Sequence, residues 1–210
     1  MYLPDRFVED DPAVLRAFVQ RHDFATLFIQ AEGRFLVSHA PLLLNVERRD
    51  GGEHGFLEGH LALANPMARH LDTSPRVLAV FMGPHAYIPR AWYVERPTVP
   101  TWNYAAVYVE GTACPRREQA WVEDLLDRTT RAHEGPAGWR FDPSSEAGRR
   151  LVTAVRAFEI RIDRMIGKYK LEQNETPVDR ESIARRLEES GDTSHAELAS
   201  LMRAARRRAK

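Results

Sequence analysis

Between Ala25 and Met82 the chain repeats short apolar runs closed by turn-forming residues. No amphipathic stretch long enough for a crossover helix lies between most of them. Ala25–Ala31 reads as extended and meets Glu32-Gly33; Arg34–Ala40 resumes the strand, Pro41 interrupts it, and Leu42–Val46 continues it to a turn at Asp50-Gly51-Gly52. Phe56–Ala62 and Arg76–Met82 are further strands, the second ending in Gly83-Pro84. Parallel neighbours need a crossover connection of a dozen or more residues, whereas antiparallel neighbours need only a tight turn. With about six strands in all, strands outnumber crossover helices in this half, which predicts an antiparallel barrel or closed sheet with helices added at intervals.

The helices declare themselves by spacing. Asp10 or Asp11 caps a helix with Pro12 at its first position, and Val14, Leu15, Phe18 and Val19 recur at helical intervals. Asn65-Pro66 opens a short helix running to Leu71. A long amphipathic helix covers about 116–133, with Trp121, Leu125 and Leu126 turned to the core. Another covers 145–154, and Phe158–Ile162 alternates as a strand with one wet face. Thr176-Pro177-Val178-Asp179 starts a helix that stops near Gly191, and Ser194 starts the last, which ends in Arg206-Arg207-Arg208-Ala209-Lys210. The mainly β, α+β body is expected over 1–175 and a helical extension over 176–210.

Composition narrows the function classes. The 210 residues are 43% hydrophobic and 29% charged, an ordinary globular mixture. Thirty basic residues balance thirty acidic ones, so the body has no overall pull toward nucleic acid or anionic membrane. The single cysteine, Cys114, forms no intrachain disulfide and no cysteine-rich zinc site. No signal peptide and no bilayer-spanning run are read, and the expected location is cytoplasmic. No nucleophile motif, phosphate-cradling loop or metal-binding histidine pair stands out.

Three segments carry residue mixtures that packing seldom requires. Phe56–Pro66 (FLEGHLALANP) brings Gly59 and His60 to Asn65 and Pro66, where the expected helix start would suit an anion; Asn65 also suits a plain N-cap, and His60 suits a satisfied core histidine equally well. Pro100–Tyr104 sets Thr101, Trp102, Asn103 and Tyr104 ahead of an apolar strand, with His85, Tyr87, Trp92 and Tyr93 nearby in sequence. Such aromatics can stack on a planar ligand or form a dimer interface. Ile166–Asn174 alternates Lys168 and Lys170 and leads to Gln173-Asn174, which suits a phosphate or a solvated strand edge.

In order, MYLPDRF, SHAPLLL, LEGHLALANP, FMGPHAYIPRAWY, VPTWNYAAVYVEG and KYKLEQN resemble the PaiB-type family of FMN-binding-like negative transcriptional regulators, from Met1 to about Leu187. VPTWNY is the most specific of these motifs. The resemblance implies a split β-barrel of the FMN-binding type, assembled as a homodimer with flavin held at the subunit interface. It implies a cofactor site drawn from His39, Gly59, His60, Asn65, Pro66, Thr101, Trp102, Asn103, Tyr104, Lys168, Lys170, Gln173 and Asn174. It implies a regulatory role; direct DNA contact is not evident from the residues. Two departures bear on FMN. Leu63 stands where relatives often carry arginine, and Glu175 follows Asn174 where they tend to carry arginine, so both weaken the expected hold on the phosphate. A flavin-dependent oxidoreductase is the alternative. Haem binding or breakdown through His39, His60 or His85 is a weaker one.

Overall fold

The computed structural model describes residues 1–47, 54–95 and 98–205. The expected turn at Asp50-Gly51-Gly52 and the basic run Arg206–Lys210 lie outside the described residues. In chain order the elements are β1 (Val8–Glu9), α1 (Pro12–Arg21), β2 (Phe24–Ala31), β3 (Arg34–Pro41), β4 (Leu43–Asn45), β5 (Phe56–Ala62), β6 (Arg76–Ile88), β7 (Thr101–Arg116), α2 (Gln119–Glu134), α3 (Glu146–Ala154), β8 (Val155–Lys170), α4 (Pro177–Glu189) and α5 (Thr193–Ala204).

The strands form one sheet in the order β3-β2-β6-β7-β8-β5-β4, with β1 paired to β8. The registers of β1 with β8, β2 with β3 and β6, and β5 with β4 and β8 are all antiparallel. The sheet is an α+β one, as the turn pattern predicts, but the hydrogen-bonded path is open: it ends at β3 and β4 rather than closing. Eight strands are present among the described residues where about six are expected: β1 is too short to read from sequence, and Leu43–Asn45, expected to continue the strand before Pro41, is a separate strand, β4.

The chain folds as two compact units, Met1–Phe18 with Met82–Val107 and Ile166–Lys210, and Val19–Phe81 with Tyr108–Met165. Each is described by itself.

Two expectations about elements are corrected. The segment after Asn65 is a series of turns ending in a 3-10 helix at His70–Thr73, not a helix running from Asn65 to Leu71. Gly83-Pro84 does not end its strand. Strand β6 continues to Ile88, and its burial phase slips there: Val77, Ala79 and Phe81 are buried before it, Pro84, Ala86 and Ile88 after it. One extra residue in a strand shifts which face each side chain takes, as a bulge does.

In the second unit, α2 buries Val122, Leu125 and Leu126 with Phe141 and Ala157, and Trp121, Val152 and Val155 pack at the margin. Each fully buried aliphatic side chain of this kind contributes about 1.5–3 kcal/mol. Helix α3 is capped by Ser145, whose hydroxyl accepts from the Gly148 amide. In the first unit, α4 begins at Thr176, whose hydroxyl accepts from the Asp179 amide, with Pro177 at the first helical position. Gly191 takes a positive φ of 73° in the three-residue turn to α5, a conformation only glycine adopts freely.

Candidate functional site

In the first unit, β7 alternates strictly where it matters. Asn103 and Ala105 point inward and are fully buried, while Trp102 points out and is 55% exposed. On β6, His85 and Tyr87 are two residues apart and both exposed, as their spacing predicts. The three rings meet: Trp102 lies edge-on to Tyr87 at 5.8 Å and tilted to His85 at 6.2 Å. Met82 adds an exposed apolar side chain on β6.

Strand β8 supplies cations to the same unit. Lys170 donates to the Thr101 hydroxyl and, at 2.7 Å, to the Trp102 carbonyl. Burial lowers its pKa below the ordinary lysine value, and Lys168 and Arg6 push the same way against an opposing Glu172. Lys170 is therefore a brace that holds the start of β7. Lys168 is freer. It donates to the Tyr2 carbonyl at 2.9 Å and lies 5.7 Å from the Tyr2 ring centre and 5.5 Å from that of Tyr104. An ammonium has three donors, so Lys168 keeps donor capacity at the surface.

After β8, Leu171, Glu172 and Glu175 are buried while Asn174 is exposed. The Gln173 side chain is spent on the backbone, accepting from Leu171 N at 2.9 Å and donating to Tyr169 O at 2.6 Å. Asn174 donates to Glu175 at 2.5 Å, and Glu175 is buried. The Glu175 charge is thus drawn into the fold and does not project onto the aromatic surface. Beside it, Glu172 is buried at a positive φ of 58°. Burial raises its pKa. Burial likewise raises that of Tyr93, which hydrogen-bonds Glu172. Asp179, fully buried, accepts from Val94 N at 2.6 Å and Glu95 N at 2.9 Å, and Ser182 donates to the Trp92 carbonyl at 2.8 Å. The start of α4 thereby clamps the connection that leads from β6 toward Thr101. Asn103 reaches the other helix, donating to the Met202 sulfur at 3.7 Å, and its buried side-chain oxygen has no partner among the described residues.

The second unit holds the remaining sequence candidates: His39, Gly59, His60, Asn65 and Pro66. Asn65 is fully engaged. It donates to the Ser38 hydroxyl at 2.8 Å and accepts from Met67 N at 2.9 Å, so it caps the turn that Pro66 enters. Without a helix here, no helix dipole is aimed at an anion. A Cβ on Gly59 would sit 2.5 Å from Leu42 Cδ2 and 3.1 Å from the Pro41 carbonyl oxygen, so glycine is needed for close packing. His60 is half-buried; burial lowers its pKa, and its buried Nδ1 has no partner among the described residues. His39 is exposed and stacks on Phe24 at 6.2 Å. Leu63 is exposed and bonded through its backbone to Ala154 O at 2.8 Å. Sequence reasoning did not place Tyr2, part of MYLPDRF, among the site residues; only the fold brings it to Lys168.

An antiparallel sheet in this order, with helices appended, is the fold of split-barrel flavin-binding proteins. Among solved structures, the flavocytochrome Anf3 from Azotobacter vinelandii matches with a TM-score of 0.60 at 13% identity, over 78% of this chain and 69% of that one. The FAD and heme binding protein from Mycobacterium smegmatis matches with a TM-score of 0.55 at 15% identity, over 78% and 73%. A family model described as "Putative FMN-binding domain" matches residues 1–164, and the chain belongs to that family. "Protease synthase and sporulation protein PAI 2" of Bacillus subtilis (strain 168) is 30% identical over 206 residues, 96% of each chain. This is the family that the sequence motifs indicate.

Proposed function

We propose that the chain is a regulatory flavin-binding protein that takes FMN against the aromatic surface of the first unit and acts as a homodimer. The observation that carries this reading is the half-exposed Trp102, set between the rings of Tyr87 and His85 and next to the lysines of β8. A planar ring system needs an aromatic or apolar face, and a phosphate needs a cation with unused donors. Trp102 and Tyr104 offer the first and Lys168 the second, so the residues present fit the group. Lys170, Thr101 and Asn103 hold the strand that presents Trp102. Bound flavin would supply reversible electron uptake; the chain's own residues orient and shield it.

The family's FMN-binding description supports this assignment, as does the PAI 2 relative, whose name links it to protease synthesis and sporulation. Exposed Met82, Tyr87 and Trp102 also suit a partner surface, which supports the dimer.

The test is an absorbance spectrum after incubation with excess FMN and removal of free ligand by gel filtration, for the wild type and Lys168→Glu. Retained flavin bands in the wild type, lost in the variant, are expected. A wild type that emerges colourless overturns the reading.

A further inference from the structure

The segment ahead of β1 loops back onto the lysine that β1 pairs with. Val8 of β1 lies opposite Lys168 of β8 in register, and Phe7 beside it is buried. Followed from there toward Met1, the chain makes a 3-10 turn over Asp5–Phe7, closed by the Phe7 amide donating to the Pro4 carbonyl at 2.8 Å. Two residues beyond Pro4, the Tyr2 carbonyl accepts from the Lys168 ammonium at 2.9 Å. One end of the segment is therefore paired with the Lys168 backbone and the other end meets its side chain.

Two features make the second contact separable from the fold. The first is anchorage. Phe7 is buried, Pro4 and Leu3 are half-buried, and Tyr2 is 80% exposed, so the chain passes from core to solvent over a few residues. The second is what the contact covers. The ammonium lies 5.5 Å from the Tyr104 ring centre on β7, and Tyr2 adds a second ring at 5.7 Å. Tyr2 also takes one of its three N–H donors. Lys170 differs: its acceptors, Thr101 and Trp102, belong to β7 and cannot leave without opening that strand.

We propose that Met1–Leu3 is a strap that closes over Lys168 and is displaced when a phosphate takes the ammonium, so that it regulates the affinity of the aromatic site for phosphorylated flavin. The inference rests on the reading of Lys168 as the phosphate-side cation of that site. The Tyr2 carbonyl and a phosphate oxygen are acceptors for the same ammonium, and the phosphate prevails by its charge. A site covered most of the time binds with an affinity reduced to its open fraction. Riboflavin has no phosphate to displace the strap and leaves it closed.

The experiment compares the full chain with a variant lacking Tyr2 and Leu3, and with Tyr2→Gly, which keeps the carbonyl and loses the ring. Neither variant touches Phe7 or the β1 pairing. Without flavin, the lysines are trace-labelled with acetic anhydride, and Lys168 acetylation is read against Lys170 by peptide mass spectrometry. Deletion should raise the Lys168-to-Lys170 ratio about fivefold and Tyr2→Gly about twofold. In fluorescence titrations, deletion should tighten FMN about tenfold and riboflavin by less than about twofold. A labelling ratio unchanged by the deletion, or an FMN affinity that stays the same or falls, overturns the strap. If neither the full chain nor the deletion variant binds either flavin, the flavin reading is overturned instead, and the labelling ratio alone decides the strap.

Discussion

Two like-charged pairs make an instructive contrast. In the second unit, Glu58 of β5 faces Glu159 of β8 in register, and both are almost fully buried. In the first unit, Lys168 and Lys170 alternate along β8 and remain partly exposed. Like charges opposed across strands repel, and buried ones also lose hydration. The glutamates persist because each has an arginine: Arg128 of α2 meets Glu58 at 2.6 Å, with Asn45 donating at 3.0 Å, and Arg116 meets Glu159. The lysines have no carboxylate in direct contact among the described residues; they bind backbone and hydroxyl oxygens and lie by aromatic rings. A buried charge with a dedicated counter-ion serves the fold, since its capacity is used. A half-exposed charge with unused donors beside an aromatic face keeps chemistry in reserve.

The contrast can be broken most forcibly at Arg128. Removing one partner of a buried pair leaves an uncompensated charge, so Arg128→Ala should cost about 3–5 kcal/mol, read as a lower urea midpoint. A loss no larger than that of an exposed ion pair would mean that Glu58 is not held by Arg128. Lys168→Glu should instead leave the midpoint nearly unchanged and weaken FMN about tenfold or more, riboflavin less, in fluorescence titrations. Equal losses for both ligands would remove the phosphate from Lys168. Trp102→Ala is expected to weaken both flavins about equally, by about fivefold, and to shift sedimentation toward monomer.

The smallest expected effect lies at Glu172, where the two behaviours meet in one residue: it is buried, beside Lys170, Tyr93, Glu175 and Arg180. Its folded pKa lies above the usual 4.5, so the native state binds more protons than the unfolded chain. Stability from this group is therefore complete below the ordinary glutamate pKa and is lost as pH rises through the folded value. Glu172→Gln should flatten that part of the stability–pH curve and raise the neutral-pH midpoint slightly. An unchanged slope across weakly acidic pH would show that the carboxyl titrates normally.

Much of the fold was legible because it follows local rules. The helix expected over 145–154, the Thr176-Pro177 start of α4 and the apolar face of α2 each depend on residues within one or two helical turns. The turn-closed runs gave antiparallel pairing for the same reason. Where the reading failed, a distant partner decided. Gly83-Pro84 looks like a stop, yet β6 passes through it with a phase slip that exposes both His85 and Tyr87. Asn65 looks like a helix cap, yet its amide is used by Ser38 and a turn.

The candidate residues divide in the same way. Sequence alone marked Thr101–Tyr104 and Lys168–Asn174 as unusual, because packing seldom asks for that mixture, and alternation along a strand fixed which of them share a face. Only tertiary structure separated Lys168, with donors to spare, from Lys170, which braces β7, and buried Glu175. Only it brought Tyr2 to Lys168, residues far apart in the chain. The physical reason is range. Propensity and periodicity act over a few residues, whereas burial, counter-ions and hydrogen-bond saturation depend on which distant segments the fold brings together.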